Sequence, residues 1–408
     1  MTNIQQARAL DQADSLASKK NLFRLNHDEI YLDGNSLGPL PIPAITRVNE
    51  TLEQEWGVRQ IRSWNDSWIN LPQNVGAKIA PIIGARSENV ICADSVSVNL
   101  FKLIAAAIQS NPTRKTIVSV QDMFPTDLYI AQGLRELLGF NNCLLKLCDI
   151  ATLESTIDQE TSVVILSQVN FRTGEAYDLA SITQAIQRRG AKVIWDVSHS
   201  AGVLPIEVEV SNIDYAVGCG YKFLNGGPGA PAFVYVRPDL QDTLKQPLSG
   251  WMGHRDPFEF SRDYQPASGM ERLLTGTPNI LSLVSLDAAL DIYSQLNLNA
   301  VYEKAQHLAQ FFIESISKNE VFSELSIIAP DHRGAQVSVT HPKAYSMTQA
   351  LIDSGVICDY RESNIARFGF APLYTSFEDV AKAVLILEDI VLNRAYEQPE
   401  YQTVGKVT

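Results

Sequence analysis

Short apolar runs alternate with helical patterns of apolar residues between about residues 95 and 236. The runs predict strands at Lys115–Val120, Val163–Ser167, Lys192–Asp196, Tyr215–Cys219 and Pro231–Val236. The stretches between them predict helices that include Asn99–Gln109, Thr126–Leu138 and Leu179–Arg189. Apolar runs of this length, alternating with helices, are typical of parallel strands that are buried on both faces. We therefore predict an α/β fold in which helices flank a mainly parallel central sheet.

The pattern changes after about residue 280. Two long helical patterns, Leu281–Ser294 and Val301–Ser317, come first, and a final helix is predicted near Phe377–Leu392. Short strands are predicted between them, near Gln336–Thr340, Val356–Cys358 and Ala366–Phe370. This order of elements indicates a smaller α+β domain at the C-terminal end of the chain.

These patterns divide the chain into three parts. Residues 46–280 are expected to form a large domain that contains the central sheet, and residues 281–408 a small domain. Residues 1–45 contain Pro39, Pro41 and Pro43 close together. We expect this segment to form an extended N-terminal arm that belongs to the small domain.

Composition excludes several classes of partner. Of the 408 residues, 33 are basic and 46 are acidic, which gives a net charge of −13. A nucleic-acid surface is not expected, because such surfaces are built from an excess of Lys and Arg. No stretch approaches the roughly 20 apolar residues that a membrane span needs. The N-terminal residues are polar and lack the apolar centre of a signal peptide, so we expect a cytoplasmic protein with no membrane partner.

Cysteine and histidine positions limit the chemistry further. The five cysteines, Cys92, Cys143, Cys148, Cys219 and Cys358, form no CxxC pair, and their number is odd. A disulfide framework is therefore not expected. The six histidines form no HExxH motif and no cluster with cysteines, so we predict no metal site.

An acid and a lysine follow two predicted strands and form the sharpest local pattern. Asp196 begins the segment DVSHSAG, in which His199 comes three residues later, and Lys222 lies in GCGYKFLNGGPG. Ligand sites in such sheets lie at the carboxyl ends of the strands. A buried acid needs a cation or donors, and burial makes a lysine amine nucleophilic. A lysine that forms a Schiff base, beside a carboxylate that pairs with a pyridinium nitrogen, meets both requirements; a buried Asp–Lys salt bridge is the alternative.

Other strand ends carry residues typical of cofactor binding. Ser95 and Ser97 come just before an apolar helix, whose N-terminus is suited to a phosphate group, although a simple helix cap is the alternative. Phe124 follows the strand that ends near Val120, where its ring either stacks on a planar cofactor or packs in the core. Ser167 ends the next strand and either reaches the cofactor or caps a turn. Each residue alone has a simpler explanation, but residues suited to a cofactor at several consecutive strand ends together favour a cofactor site.

The chain resembles the kynureninases, which are pyridoxal 5′-phosphate (PLP) enzymes of fold type I, the aspartate aminotransferase superfamily. The matching segments are YLDGNSLG (31–38), VNL (98–100), FPTD (124–127), NFRTG (170–174), DVSHSAG (196–202), YKFLN (221–225), GW (250–251) and RFGFAPLY (367–374). They run in consistent order from about residue 30 to 393. The lysine segment alone marks only the superfamily, whereas the full set is specific to kynureninases.

The resemblance implies a role for each cofactor residue. Lys222 would hold PLP as a Schiff base, Asp196 would pair with the pyridinium nitrogen, and His199 would lie close to the ring. Phe124 would stack on the ring face. Phosphate contacts would come from the Val96 backbone, Ser97, Tyr221, Trp251 and Asn279, with the last two contributed across a dimer interface. Further cofactor contacts would come from Pro125, Thr126, Asp127 and Ser167.

The resemblance also implies a reaction. Kynureninases cleave L-kynurenine, and also 3-hydroxy-L-kynurenine, by hydrolysis between Cβ and Cγ to anthranilate (or 3-hydroxyanthranilate) and L-alanine, in tryptophan degradation and NAD biosynthesis. Lys222 would remove the Cα proton, and Tyr221 beside the phosphate is our candidate proton relay. The active enzyme would be a homodimer.

Substrate contacts are implied in the same way. Arg367 would grip the α-carboxylate in a bidentate pair, and a surface position would fit poorly with the apolar run IARFGF. Asn35 and Ser36 would border the substrate. Trp64 would face its aromatic end and favour kynurenine over the 3-hydroxy compound, although packing among tryptophans is the alternative.

Three other classes of function are alternatives. The segment GNSLG (34–38) satisfies the G-x-S-x-G pattern of serine hydrolases, but the following prolines argue against the helix that this motif must open. A non-catalytic binding protein would leave Lys222, Asp196 and Arg367 without a joint purpose. The nearest alternative is another fold-type I enzyme, such as a cysteine desulfurase or class V aminotransferase. A desulfurase needs an exposed thiol, whereas Cys358 lies in an apolar run and is expected to be buried.

Overall fold

The computed structural model describes residues 3–403 and residue 405. The α-helices are α1 (Asn3–Ala13), α2 (Ile42–Glu50), α3 (Leu71–Ile79), α4 (Val96–Ser110), α5 (Pro125–Leu138), α6 (Leu153–Thr156), α7 (Leu179–Arg188), α8 (Pro238–Gln241), α9 (Ile280–Leu290), α10 (Leu298–Ser317), α11 (Ala344–Asp353) and α12 (Phe377–Leu392). The strands are β1 (Phe23–Arg24), β2 (Ile30–Tyr31), β3 (Leu40–Pro41), β4 (Val90–Cys92), β5 (Thr116–Val120), β6 (Leu144–Cys148), β7 (Thr161–Ser167), β8 (Lys192–Asp196), β9 (Tyr215–Cys219), β10 (Ala232–Val236), β11 (Ser326–Ile328), β12 (Gln336–Thr340), β13 (Val356–Ile357), β14 (Asp359–Arg361) and β15 (Ile365–Gly369). Two π-helical segments, Thr51–Arg59 and Trp64–Trp68, lie between α2 and α3.

The central sheet has seven strands in the order β4-β10-β9-β8-β7-β5-β6. Strand β10 runs antiparallel to both its neighbours, and the other pairs are parallel. Strands β5, β7, β9 and β10 are buried along their whole length, as their continuous apolar runs predict. The predicted α/β fold with a mainly parallel central sheet is confirmed.

Two strands of this sheet were missed by the sequence reading. Strand β4 has only three residues, and β6 lies at the edge of the sheet with Leu144 and Leu147 exposed. Its mixed sequence LLKLC lacks the apolar run that marks a strand buried on both faces. Continuous apolar runs indicate buried strands, so edge strands and very short strands were not predicted from them.

The strand register brings the candidate residues to one edge of the sheet. Ser167, the last residue of β7, lies opposite Asp196, the last residue of β8. Asp196 in turn lies opposite Val217, two residues before the end of β9. The segments that follow these parallel strands therefore converge, and Lys222 lies in the segment that follows β9.

A smaller four-stranded antiparallel sheet lies in the C-terminal part, in the order β11-β12-β15-β14. Helices α10 and α12 pack with this sheet around a second apolar core. In that core the Phe312 ring contacts Phe368 and Phe370, with ring centroids 4.8 and 5.3 Å apart. The predicted smaller α+β unit is thus present. The boundaries at residues 45 and 280 remain predictions.

The N-terminal segment is less extended than its prolines indicated. It begins with helix α1, and the Asp11 carboxylate accepts hydrogen bonds from the Phe377 and Glu378 N–H groups at 2.8 and 2.9 Å, capping α12. Strand β2 then pairs in parallel with β13. Helix α2 starts at Ile42 with Pro43 in its first turn, a position that favours proline because no N–H is needed there. The prolines thus lead into a helix, which corrects the expectation that they prevent one.

Candidate active site

A cavity of about 170 Å³ lies at the carboxyl edge of the central sheet. Its walls come from the segments that follow β5, β7, β8 and β9 and from the start of α4. The predicted cofactor residues that line it are Val96, Ser97, Phe124, Thr126, Asp127, Ser167, Asp196, His199, Tyr221 and Lys222. Pro125 is the first residue of α5, between two residues of this lining.

Lys222 and His199 meet inside the cavity. Lys222 Nζ lies 2.9 Å from His199 Nε2 and 5.9 Å from the centroid of the Phe124 ring. Burial lowers the pKa of His199 well below its ordinary value, and the positive charge of Lys222 lowers it further. The imidazole is therefore neutral near pH 7. In the tautomer whose Nε2 carries no hydrogen, His199 accepts this hydrogen bond from Lys222.

Two carboxyl groups, those of Asp196 and Asp127, line the cavity. Both are buried, and Asp196 accepts a hydrogen bond of 2.8 Å from the Ser198 N–H. Burial raises the pKa of Asp127 well above its ordinary value, and the nearby charge of Asp196 adds to that shift. Burial also raises the pKa of Asp196, but the hydrogen bonds from Ser198 and the charge of Lys222 oppose that shift. Asp127 is therefore the more readily protonated member of the pair. Asp196 is then the carboxylate that is available to a buried cation.

The start of α4 supplies an anion-binding end to the same cavity. Ser95 caps the helix, with its Oγ accepting a hydrogen bond of 3.4 Å from the Val98 N–H. The N–H groups of Val96 and Ser97, in the first turn, have no partners within the helix. Such N–H groups and the helix dipole favour a phosphate.

These groups fit PLP. The cavity offers N–H groups for a phosphate, the Phe124 ring for an aromatic face, the Asp196 carboxylate for a protonated ring nitrogen, and the Lys222 amine for an aldehyde. Asp127 Oδ2 is buried without a hydrogen-bond partner among the described residues. A polar atom of this kind, aimed into a cavity, is typical of a site built for a ligand.

A second polar group surrounds Arg367 on β15, and we call it the arginine cluster. It is formed by Asp33, Ser36, Asp359, Arg361 and Arg367. Only 2% of Arg367 is exposed, which excludes a surface role. Its Nε donates to Asp359 Oδ1 at 2.7 Å and its Nη2 donates to Ser36 Oγ at 3.2 Å.

Phe171 links the arginine cluster to the cavity. Its carbonyl oxygen accepts from Arg367 Nη1 and, at 3.0 Å, from Gln336 Nε2. Its ring meets the Phe124 ring edge to face, with centroids 5.3 Å apart. The charge of Arg367 also contributes to the lowered pKa of His199. The cluster and the cavity are therefore neighbours, as a substrate held at both would require.

Several residues of this arrangement were missed by the sequence reading. No role was predicted for Asp359, Arg361, Asp33, Phe171 or Gln336, although Asp33 and Phe171 lie in the matching segments YLDGNSLG and NFRTG. One signal was available, because a buried arginine within a strand requires a carboxylate partner. Asp359 lies eight residues before Arg367, within reach across a hairpin.

Among the predicted residues, Trp64, Trp251 and Asn279 do not line the cavity, and neither do Asn35 and Ser36. Trp64 packs edge to face on Trp68, with ring centroids 5.7 Å apart, and lines a surface groove with Trp56 and Ile61. Trp251 is 40% exposed, and Asn279 comes just before α9 beside a separate groove. The contribution of Trp251 and Asn279 across a dimer interface remains a prediction, and so does the contact of Trp64 with the substrate. Asn35 is buried, and Ser36 belongs to the arginine cluster.

Within the part of the chain that the structure describes, no group of three His, Cys, Asp or Glu side chains is arranged to hold a metal ion. None of the described helices combines the length and apolar character needed to cross a membrane.

Known proteins resemble the chain along its whole length. A kynureninase from Pseudomonas fluorescens is 43% identical over 416 aligned residues, which span 100% of both chains. A kynureninase from Burkholderia mallei strain SAVP1 matches with the same identity and coverage. The family model described as "Kynureninase C-terminal domain" matches residues 301–387.

The chain belongs to the kynureninase family. Solved structures support the fold. An apo cysteine desulfurase from Thermococcus onnurineus NA1 superposes with a TM-score of 0.79 at 20% identity, covering 92% of this chain and 98% of its own. A C-DES mutant with glycine covalently linked to its PLP cofactor superposes with a TM-score of 0.80 at 18% identity, covering 91% and 99%. The predicted fold type I architecture is confirmed.

The site argues against the alternative functions. Cys358 is 2% exposed and burial raises the pKa of its thiol well above the ordinary value, so it lacks the exposed, reactive thiol of a desulfurase. Ser36 Oγ donates to Asp359 Oδ2 at 2.6 Å and lies against Arg367, and no helix begins directly after Gly38. The hypothesis of a serine hydrolase therefore has no support.

Proposed function

We propose that this protein is a PLP-dependent hydrolase that cleaves L-kynurenine between Cβ and Cγ to give anthranilate and L-alanine. Membership of the kynureninase family supports the reaction. The observation that carries the proposal is the cavity that combines the Lys222 amine, the buried Asp196 carboxylate and the start of α4. We propose that 3-hydroxy-L-kynurenine is cleaved as well.

PLP, when bound, supplies an electron sink for the negative charge that develops at the substrate Cα. Lys222 is the base that takes the Cα proton, since its Nζ lies in the cavity beside His199 and over the Phe124 ring. His199 stays neutral because its pKa is lowered, so it accepts from Lys222 without adding a second positive charge. This contact orients the amine.

The two carboxyl groups divide their tasks. Asp196, the ionised member, would pair with the pyridinium nitrogen, which keeps the ring protonated. Asp127, the protonated member, relieves the repulsion between the two groups. Val96 and Ser97 would bind the phosphate through the first turn of α4, with Thr126 and Ser167 at the rim of the cavity.

Arg367 would bind the substrate α-carboxylate. Asp359 holds the edge of its guanidinium formed by Nε and Nη2, so the edge formed by Nη1 and Nη2 is the one that can face a ligand. A bidentate contact there would replace the contacts with Ser36 and the Phe171 carbonyl. Asn35 and Ser36 would border the bound substrate, and Trp64 would face its aromatic end.

Tyr221 would relay a proton to the product. It precedes Lys222 and lines the cavity, and burial raises the pKa of its phenol above the ordinary value. The phenol is therefore protonated near neutral pH and is able to donate. A Tyr221→Phe variant that retains full turnover with normal PLP content would contradict this role.

We also propose a homodimer, a cytoplasmic location and a place in tryptophan catabolism and pyridine nucleotide biosynthesis. Large apolar side chains are exposed around the residues expected at the dimer interface, and they include Trp56, Trp251, Phe258 and Phe260, with 58%, 40%, 60% and 77% exposure. Exposed apolar patches are typical of protein interfaces. The location and pathway rest on the resemblance alone.

The direct test is to incubate the PLP-loaded protein with L-kynurenine and to follow anthranilate by its fluorescence. We expect release of anthranilate and of equimolar L-alanine. The matched controls are Lys222→Ala, which should be inactive, and Lys318→Ala on the surface, which should behave as the parent. A PLP-loaded parent protein that releases no anthranilate would contradict the substrate and leave the cofactor assignment standing.

A further inference from the structure

We propose that Asp359 is the positioning residue that fixes the Arg367 guanidinium for the substrate carboxylate, an inference that rests on the proposed function. Strands β14 and β15 are antiparallel, and Asp359 lies directly opposite Arg367 in their register. Directly opposed side chains point to the same face of a sheet. The backbone therefore holds the two residues side by side before any side-chain contact is made.

The hydrogen bonds fix the plane of the guanidinium. Asp359 Oδ1 accepts a hydrogen bond from Arg367 Nε at 2.7 Å, and Asp359 Oδ2 accepts one from Arg367 Nη2. This is a bidentate contact along one edge of the guanidinium. Nη2 also donates to Ser36 Oγ, and Nη1 donates to the Phe171 carbonyl. A planar group held along one edge has little freedom to rotate, so its edge formed by Nη1 and Nη2 points in one direction.

Burial makes this contact necessary. Only 3% of Asp359 and 2% of Arg367 are exposed, and a buried charge without a partner is strongly unfavourable. Burial alone would raise the pKa of Asp359, but the hydrogen bonds and charge of Arg367, together with the charge of Arg361, lower it. Asp359 therefore stays ionised and keeps its hold on Arg367.

The charges of the arginine cluster leave room for one more carboxylate. Arg361 Nη2 lies 2.8 Å from Asp359 Oδ2, so Asp359 faces two guanidinium groups. Asp33 is the other acid of the cluster, and burial followed by the charge of Asp359 raises its pKa to about 7. With Asp33 protonated, two positive charges face one negative charge. A substrate carboxylate would balance the cluster.

A positioning role differs from a merely structural one in what it changes. If Asp359 only stabilises the fold, its loss should lower PLP content and affect every ligand alike. If it orients the Arg367 guanidinium, its loss should weaken the binding only of ligands that carry the carboxylate. A decarboxylated analogue of kynurenine, which keeps the ring, ketone and amine, separates the two roles.

The experiment compares Asp359→Asn, Asp359→Ala and Asp359→Glu as PLP-loaded enzymes. We expect KM for L-kynurenine to rise by about 10- to 100-fold in Asp359→Asn and Asp359→Ala, with kcat changed by less than about threefold. Asp359→Glu should recover part of the loss. The inhibition constant of the decarboxylated analogue should stay within about twofold of the parent in all three. Asp158→Asn, which removes an exposed partner of Lys146, is the matched control and should behave as the parent.

An unchanged KM in Asp359→Asn, or an analogue affinity that falls as far as that of kynurenine, would overturn the positioning role. Asp359→Asn keeps the size of the side chain and serves if Asp359→Ala fails to fold. Arg367→Met separates this inference from the proposed function. If that variant binds kynurenine normally, the carboxylate assignment itself is wrong and the inference falls with it. If it binds kynurenine poorly while Asp359→Asn does not, only the positioning role is wrong.

Discussion

The cofactor cavity and the arginine cluster solve the problem of buried charge in different ways. In the cavity, one lysine faces a carboxyl pair that shares a proton and a histidine kept neutral by a lowered pKa. In the cluster, two arginines face Asp359, while Asp33 has a pKa near 7. The cavity is close to electrically balanced, whereas the cluster carries excess positive charge at pH values below about 7, where Asp33 is protonated. This difference suits a cofactor that stays bound and a substrate carboxylate that arrives and leaves.

Lys222→Ala should have the largest effect, because it removes the reactive group of the cavity. We expect the rate of anthranilate release to fall by about 10⁴-fold or more, as for loss of a group that takes part in the chemistry itself. PLP should remain bound, held by the Asp196 side and the start of α4, but without a covalent link. Activity close to the parent level would contradict the role of the cavity.

Asp196→Asn should have the next largest effect and Asp127→Asn a smaller one. Asn at 196 keeps the shape but loses the negative charge that would hold the ring nitrogen protonated. We expect kcat/KM to fall by about 10²- to 10³-fold for Asp196→Asn and by less than about 10-fold for Asp127→Asn. Steady-state kinetics and PLP absorbance would measure both. Equal losses in the two variants would contradict the assignment of the proton to Asp127.

Arg367→Lys tests the arginine cluster without changing its net charge. Lysine keeps one positive charge but cannot make a bidentate contact with a carboxylate. We expect KM for kynurenine to rise by about 10- to 100-fold, with a smaller change in kcat. An unchanged KM would show that charge alone, and not the fork of Arg367, binds the carboxylate.

Asp33→Asn should produce the smallest effect, visible in the pH dependence of stability. Burial raises the pKa of Asp33 to about 7, so the folded protein binds this proton more tightly than the unfolded chain does. The contribution of Asp33 to stability is therefore fully present below about pH 4 and is lost as pH rises through about 7. Because Asn does not ionise, the variant should be more stable than the parent at pH 8 by about 1 to 3 kcal/mol, and the gain should shrink towards pH 4.

Urea denaturation of the holoenzyme at pH 5 and pH 8 would measure this difference. Asp158→Asn is the control. The hydrogen bond from Lys146 lowers the pKa of the exposed Asp158, so this carboxylate is ionised at both pH values and its loss should change stability equally at both. A gain in Asp33→Asn that is the same at both pH values would contradict a raised pKa at Asp33.

The two regions also differ in how far the sequence predicts them. Asp196, Ser167 and Lys222 come directly at or after buried parallel strands, and the edge of such a sheet collects whatever follows its strands. Their meeting could therefore be predicted without knowing any contact. The same holds for the start of α4, because a helix that follows a strand presents its N–H groups at that edge.

The arginine cluster could not be predicted in this way. Its members come from the N-terminal segment and from an antiparallel pair of strands, so their meeting depends on register and on the packing of distant segments. Asp359 and Arg361 lie on a strand of three residues, too short for a periodic pattern. Helix α1 was missed because its sequence is polar, and its capping contact with α12 lies more than 360 residues away.

Borohydride reduction of the PLP-loaded protein, followed by peptide mass spectrometry, tests the central claim most directly. The account predicts a pyridoxyl adduct on Lys222. An adduct on another lysine, or no adduct in a protein that contains stoichiometric PLP, would contradict it.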